Sequence, residues 1–231
     1  MTITSWKSIA LGALLGAVAL GSVAEAGPSY DVSVYAYNQP GTALGSTLPP
    51  PAGALMTATF TYNGELNFVN NAAQNTLPTG DLNSAFFGAN AAGISGYSGS
   101  GSSFFGNYST LANFLASSGS AAGYDYATLF VFRANPIDTA GMNLVITHDD
   151  GSGVYVNGAL QPGTVTGPTS QVTNFVSLGA GSDLQIVYAR ENGTPSVLQV
   201  SVPEPMSLAL FGTGLVGLGL LRGRRRAQPA A

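Results

Sequence analysis

From residue 30 onward the chain alternates short apolar-rich runs with clusters of Gly, Asn, Asp, Ser and Pro. The runs at 30–37, 55–62, 66–69, 126–133, 142–147, 153–156, 171–177, 183–188 and 196–202 carry the β-branched and aromatic residues of strands, with apolar and polar positions roughly alternating. Asn63-Gly64, Asn157-Gly158 and Asn192-Gly193 are hairpin dipeptides, because both residues tolerate positive φ. Many short strands punctuated by turns predict an all-β fold, a single β-sandwich domain over 27–201.

Residues 83–123 fit this pattern less well. They are rich in Gly, Ser and Ala but interrupted by Phe86, Phe87, Tyr97, Phe104, Phe105, Tyr108 and Phe114. That mixture predicts long loops pinned by aromatics, with one short helix at 110–116. No fixed-period repeat is present.

The two ends follow different rules. Lys7, an apolar run at 9–20 and Ala24-Glu25-Ala26 form the three parts of a secretory signal peptide over 1–26, cut by signal peptidase after Ala26 to leave Gly27 first. An uncleaved N-terminal anchor is the alternative. At the other end, residues 206–221 carry no charge and are followed by Arg222, Arg224, Arg225 and Arg226. As a helix these sixteen residues would span about 24 Å, a short transmembrane segment against a hydrocarbon core of about 30 Å. The arginines would stay on the cytoplasmic side, leaving the body outside the inner membrane.

Between the ends, nine carboxylates stand against only Arg133 and Arg190. So negative a body is repelled by nucleic acid and by anionic lipid, which excludes DNA and RNA as partners. The chain has no cysteine, which removes thiol catalysis and cysteine-based metal sites.

Val202-Pro203-Glu204-Pro205, then the apolar segment, then the arginine cluster, resembles the PEP-CTERM sorting signal of Gram-negative bacteria over 202–226, with 227–231 as a tail. That resemblance implies a membrane-embedded exosortase as processing partner, cleavage near the Pro-Glu-Pro, and a final place at the cell surface or in the exopolysaccharide matrix. The two prolines hold the cleavage region extended. Gly212, Gly214 and Gly217 spell a literal G-x-G-x-x-G, but no strand or βαβ unit surrounds it, so it is not read as a dinucleotide site.

The densest chemistry lies at Thr147-His148-Asp149-Asp150-Gly151-Ser152-Gly153-Val154-Tyr155-Val156-Asn157-Gly158, which holds the only histidine. A strand, an Asp-Asp-Gly-Ser turn, an alternating Val/Tyr strand and Asn-Gly resemble the protective-antigen/flocculin-type β-sandwich. The stretch 176–202 (VSLGAGSDLQIVYARENGTPSVLQVSV) resembles that family's closing strands. The resemblance covers 126–202. It implies a jelly-roll-like sandwich used for carbohydrate binding or adhesion. In calcium-dependent members two aspartates joined by a cis peptide ligate Ca²⁺ at the sugar site, and Asp149 and Asp150 match them. His148 departs from the small residue usual before the pair. The turn is therefore either a Ca²⁺ or glycan site or a purely structural turn.

Catalysis is not expected. His148 and Asp149 are neighbours on a strand, where successive side chains point to opposite faces, and no G-x-S-x-G or H-E-x-x-H accompanies them. The expected protein is an exported, exosortase-sorted surface or matrix component that binds exopolysaccharide. A structural matrix protein without a ligand and a secreted hydrolase are the alternatives.

Overall fold

The computed structural model describes residues 28–39, 41, 43–72, 81–101, 104–134 and 136–203. The expectations resting on Ala24, Ala26, Gly27, Glu204, Pro205, the segment 206–221 and Arg222, Arg224, Arg225 and Arg226 lie outside the described residues. Among the described residues, no helix is long and apolar enough to cross a membrane.

The elements run β1 (Ser29–Asn38), β2 (Leu55–Asn63), β3 (Asn67–Asn70), α1 (Asn83–Phe87), a 3-10 turn (Gly88–Gly93), β4 (Ile94–Gly99), α2 (Leu111–Ala116), β5 (Tyr126–Ala134), β6 (Asn143–Asp149), β7 (Ser152–Val156), β8 (Ala159–Leu160), β9 (Val172–Ser177), β10 (Leu184–Arg190) and β11 (Ser196–Ser201). They form two antiparallel sheets ordered β4-β2-β1-β5-β10-β7-β8 and β3-β11-β6-β9. Val32, Phe60, Phe130, Phe132, Ile186 and Tyr188 of the larger sheet pack against Phe68, Leu144, Ile146, Val176 and Leu198 of the smaller. The fold is the expected all-β sandwich, driven by the apolar face of each sheet leaving water.

Every expected strand is present, and the structure adds three features the pattern did not predict. β5 and β10 are buried on both faces. Leu129, Val131, Val187 and Ala189 point away from the sandwich core into a second cluster capped by Leu44 and Leu48. That second cover explains why β5 (YATLFVFRA) is a nearly continuous apolar run. β4 (ISGYSG) has low strand propensity but forms the edge of the larger sheet by pairing with β2, and Tyr97 stacks on Phe60 with centroids 6.3 Å apart. Within the expected loop region, α1 delivers Phe86 and Phe87 to the core, where Phe86 stacks on Tyr188 at 5.6 Å. The expected helix appears as α2, with the Thr110 hydroxyl accepting from the Asn113 backbone N–H.

Two of the three Asn-Gly dipeptides do not make hairpins. Asn157-Gly158 joins β7 to β8 as a tight hairpin, with φ of 49° and 77°. Asn63-Gly64 and Asn192-Gly193 carry the chain from one sheet to the other. Asn192-Gly193 takes the expected positive φ at both residues, whereas Asn63 does not, and at both dipeptides the next strand was decided by the sandwich.

Arg190, at the end of β10, is fully buried. Its guanidinium donates to the Asp81 carboxylate at 2.5 Å, the Asp81 carbonyl at 2.8 Å and Asn83 Oδ1 at 2.6 Å, and it lies 4.4 Å from the centroid of the Phe86 ring. Asp81 also accepts from the hydroxyls of Ser120 and Ser196 and from the Asn70 amide. A Cβ at residue 119 would sit 2.2 Å from Arg190 Nη1, so only glycine fits there.

Removing one partner would strand a charge in the core. Asp81→Ala is expected to cost about 3–5 kcal/mol in urea unfolding. Asp183→Ala removes the partner of the exposed Arg133 and an acceptor for Gln185 Nε2, both at the surface, and should cost less than about 1 kcal/mol.

Candidate functional site

Asp149 ends β6 in the smaller sheet and Ser152 begins β7 in the larger, so Asp149-Asp150-Gly151 is a crossing between sheets. Residues 191–195 make the reverse crossing, from β10 to β11. Pairing of Asp149 with Val197 and of Ser152 with Tyr188 sets the two crossings side by side at one end of the sandwich.

The Asp149–Asp150 peptide is cis, as the resemblance implies. Its surroundings hold it through several contacts. Tyr188 donates its hydroxyl to the Asp149 carbonyl, and Asp150 Oδ2 accepts from the Glu191 N–H at 2.9 Å. Gly151 accepts from the Ser46 hydroxyl at 2.6 Å and from the Ala189 N–H at 3.0 Å. A Cβ on residue 151 would lie 2.4 Å from the Thr166 carbonyl oxygen, which explains the glycine after the aspartates.

His148 is fully buried, and both its ring nitrogens are engaged. Nε2 lies 2.8 Å from the Asn174 side-chain amide, and Nδ1 lies 2.5 Å from the Asp150 carbonyl oxygen. With Asn174 donating, Nε2 is the acceptor and Nδ1–H donates to Asp150, which makes the ring neutral. Burial lowers its pKa, in agreement with that state, with the Asp150 contact opposing. A ring tied at both nitrogens is paired with no serine hydroxyl, so His148 supports the Asp-Asp turn and has no free nitrogen for general-base work. The unusual residue before the aspartates therefore has a structural role that the sequence pattern did not disclose.

Asp149, Asp150 and Glu191 are at most 7 % exposed and line one pocket of about 480 Å³ with Tyr124, residues 168–170, Asn192, Thr194 and Pro195. Burial pushes Asp150 up to about 8; the Glu191 N–H opposes this, and the Glu191 and Asp149 carboxylates add to it. Burial also raises Glu191 to about 7, against a hydrogen bond from the Leu44 N–H, and raises Asp149, against one from the Gln171 backbone. Glu191 Oε1 and Thr194 Oγ1 are buried with no partner among the described residues. Arg133 is committed to Asp183 and Arg190 to Asp81, so neither described arginine neutralises this cluster.

Asp149 and Asp150 are thus brought together at one pocket. Among the described residues no three His, Cys, Asp or Glu side chains form a metal cluster. A cation here would therefore take two aspartates together with carbonyl and amide oxygens of the neighbouring crossing, a donor set that suits a hard ion such as Ca²⁺. Of the sorting residues, Val202 is 52 % exposed just beyond β11, and Pro203 ends the described chain. Sequence reasoning missed Glu191, Asn192 and Thr194, whose only signal was the Asn-Gly turn read as a hairpin. It also missed Tyr124, which arrives from 25 residues away in sequence.

No protein-family profile matches the chain, and no curated protein is significantly similar to it. Two solved domains are similar. One is a PA14 sugar-binding domain from an RTX adhesin, at 16% identity and TM-score 0.47, covering 77% of this chain and 90% of that one. The other is the PA14 domain of the MpAFP antifreeze protein, at 15% identity and TM-score 0.48, covering 76% and 82%.

The carboxylates set a sign for pH dependence without a bound cation. Carboxyls raised on folding contribute their full stability below their unfolded values near about 4, and lose it as pH rises through the folded values of about 7 and about 8. In chelator, the melting temperature should fall between about pH 5 and about pH 8.5, and Asp150→Asn should flatten that fall. A melting temperature that rises over this range would contradict the assignment.

Proposed function

We propose that this chain is an exported, exosortase-sorted surface protein whose sandwich binds exopolysaccharide through Ca²⁺ at the Asp149–Asp150 turn. The observation that carries the reading is two adjacent buried aspartates opening on a pocket where the described residues supply no cation. The unpartnered oxygens of Glu191 and Thr194 and the nearby amide of Asn192 fit a site completed by an ion. Asp149 and Asp150 would hold a calcium ion there, whose charge would offset theirs and which takes further oxygen ligands such as sugar hydroxyls. Asp149 and Asp150 would be its direct ligands. His148, Tyr188 and the Glu191 N–H orient them, and Tyr124 and residues 168–170 wall the mouth. Binding and adhesion account for these groups without a catalytic step.

Export and sorting rest on the sequence alone: the signal peptide at 1–26 and the Pro-Glu-Pro, apolar segment and arginine cluster at 202–226. β11 ends at Ser201, and Val202 and Pro203 follow it as the last described residues, so the processing region would begin just past the last described strand. Before processing, the segment 206–221 would anchor the body to the inner membrane. Afterwards the body would belong to the surface or matrix.

At a hundredfold excess over Kd, Ca²⁺ should stabilise the fold by about 2.7 kcal/mol, a rise in melting temperature on the order of 5–10 °C. Asp149→Ala combined with Asp150→Ala should abolish the rise; no rise in the parent protein would end the calcium reading. Separately, mass spectrometry of the surface fraction should find a C-terminus near Pro203 to Pro205. Recovery of chains ending beyond Arg226 would contradict sorting.

A further inference from the structure

The outer face of the smaller sheet carries a second arrangement that the pocket does not use. The register sets Thr173, Thr147, Gln199 and Asn67 in one row across β9, β6, β11 and β3. Thr147 and Thr173 share a hydrogen bond of 2.8 Å between their hydroxyls, and Gln199 Nε2 donates to Asn67 Oδ1 at 2.7 Å. Four strands at about 4.8 Å spacing make this row about 14 Å long. The adjacent row is Phe175, Val145 and Ser201. Phe175 is 77 % exposed, the highest value among the exposed large hydrophobic residues described. A depression of about 310 Å³ between the rows is lined in part by Glu65, Asn67, Val145, Thr147, Gln199 and Ser201, so its one ionisable lining group is a carboxylate.

We infer that this face is a binding platform for a neutral polysaccharide, separate from the Asp149–Asp150 pocket and independent of any cation. A sugar ring offers an apolar C–H face and a rim of hydroxyls. Phe175 beside Val145 matches the first, and the in-register hydroxyls and amides match the second. Neither row holds an ionisable side chain, whereas the body around it carries nine carboxylates against two arginines. An anionic polymer or lipid surface would therefore be repelled without compensation, while an uncharged glycan would not. A second copy of the chain fits less well. A stable dimer buries about 800 Å² per partner around an apolar centre, and here one aromatic and Val145 stand beside a polar row.

The inference does not rest on the calcium reading, and the test keeps them apart. The full chain is run, with chelator throughout, in native gels containing hydroxyethylcellulose, galactomannan, dextran or polygalacturonate. Retardation by at least one neutral polymer is expected even though the chelator leaves the Asp149–Asp150 turn without a cation, with apparent affinity at least tenfold weaker for Phe175→Ala. Because Phe175 is exposed, Phe175→Ala should melt with the parent. A Thr147→Val variant, which keeps the strand shape, should also weaken retardation. The inference is overturned by no retardation on any neutral gel, by retardation on polygalacturonate alone, by equal retardation of Phe175→Ala, or by a concentration-dependent dimer that Phe175→Ala dissolves in sedimentation.

Discussion

The buried guanidinium of Arg190 organises the parts of this protein that its strands alone would not connect. A charge in the core persists only when its partners are in place, and those partners come from distant segments. Asp81 and Asn83 open the aromatic insertion, while Asp81 is tied in turn to Asn70 at the end of β3, to Ser120 and to Ser196 at the start of β11. The insertion is thereby fixed at its polar base as well as through Phe86 and Phe87. Arg190 also directly precedes Glu191, so the ion pair sets the point from which the second crossing leaves the larger sheet.

The candidate site shows the opposite electrostatic condition. Where Arg190 is matched by Asp81, the carboxylates of Asp149, Asp150 and Glu191 share a pocket that no described arginine reaches. Their raised pKa values are the cost of desolvation only partly offset by backbone N–H groups. The support around them is extensive: His148 and Tyr188 fix backbone carbonyls of the aspartates, and Ser46 bridges Gly151 to β10. Such an arrangement holds the two carboxylates in position before any ligand arrives, so little ordering is left to oppose binding.

Much of the architecture was legible because strand periodicity and turn chemistry are local. The alternation in β1 and β6 marks which side chains face the core, and Asn157-Gly158 marks a hairpin by its own backbone preference. β4 was not legible, since ISGYSG has little strand propensity and is held by pairing with β2 and by Tyr97. Nor was the role of Asn192-Gly193. Its positive φ values suit a hairpin or a crossing equally, and only the partner strand distinguishes them.

The sequence by itself determined that this is an all-β domain, acidic and free of cysteine, with an Asp-Asp-Gly-Ser turn as its most informative chemistry. These follow from residue type and short-range spacing. Only the tertiary structure decided that the turn joins two sheets, that residues 191–195 complete its pocket, that the lone histidine braces it, and that Thr173, Thr147, Gln199 and Asn67 align on one face. The reason is that antiparallel pairing brings together residues far apart in sequence. No local pattern records which strands become neighbours.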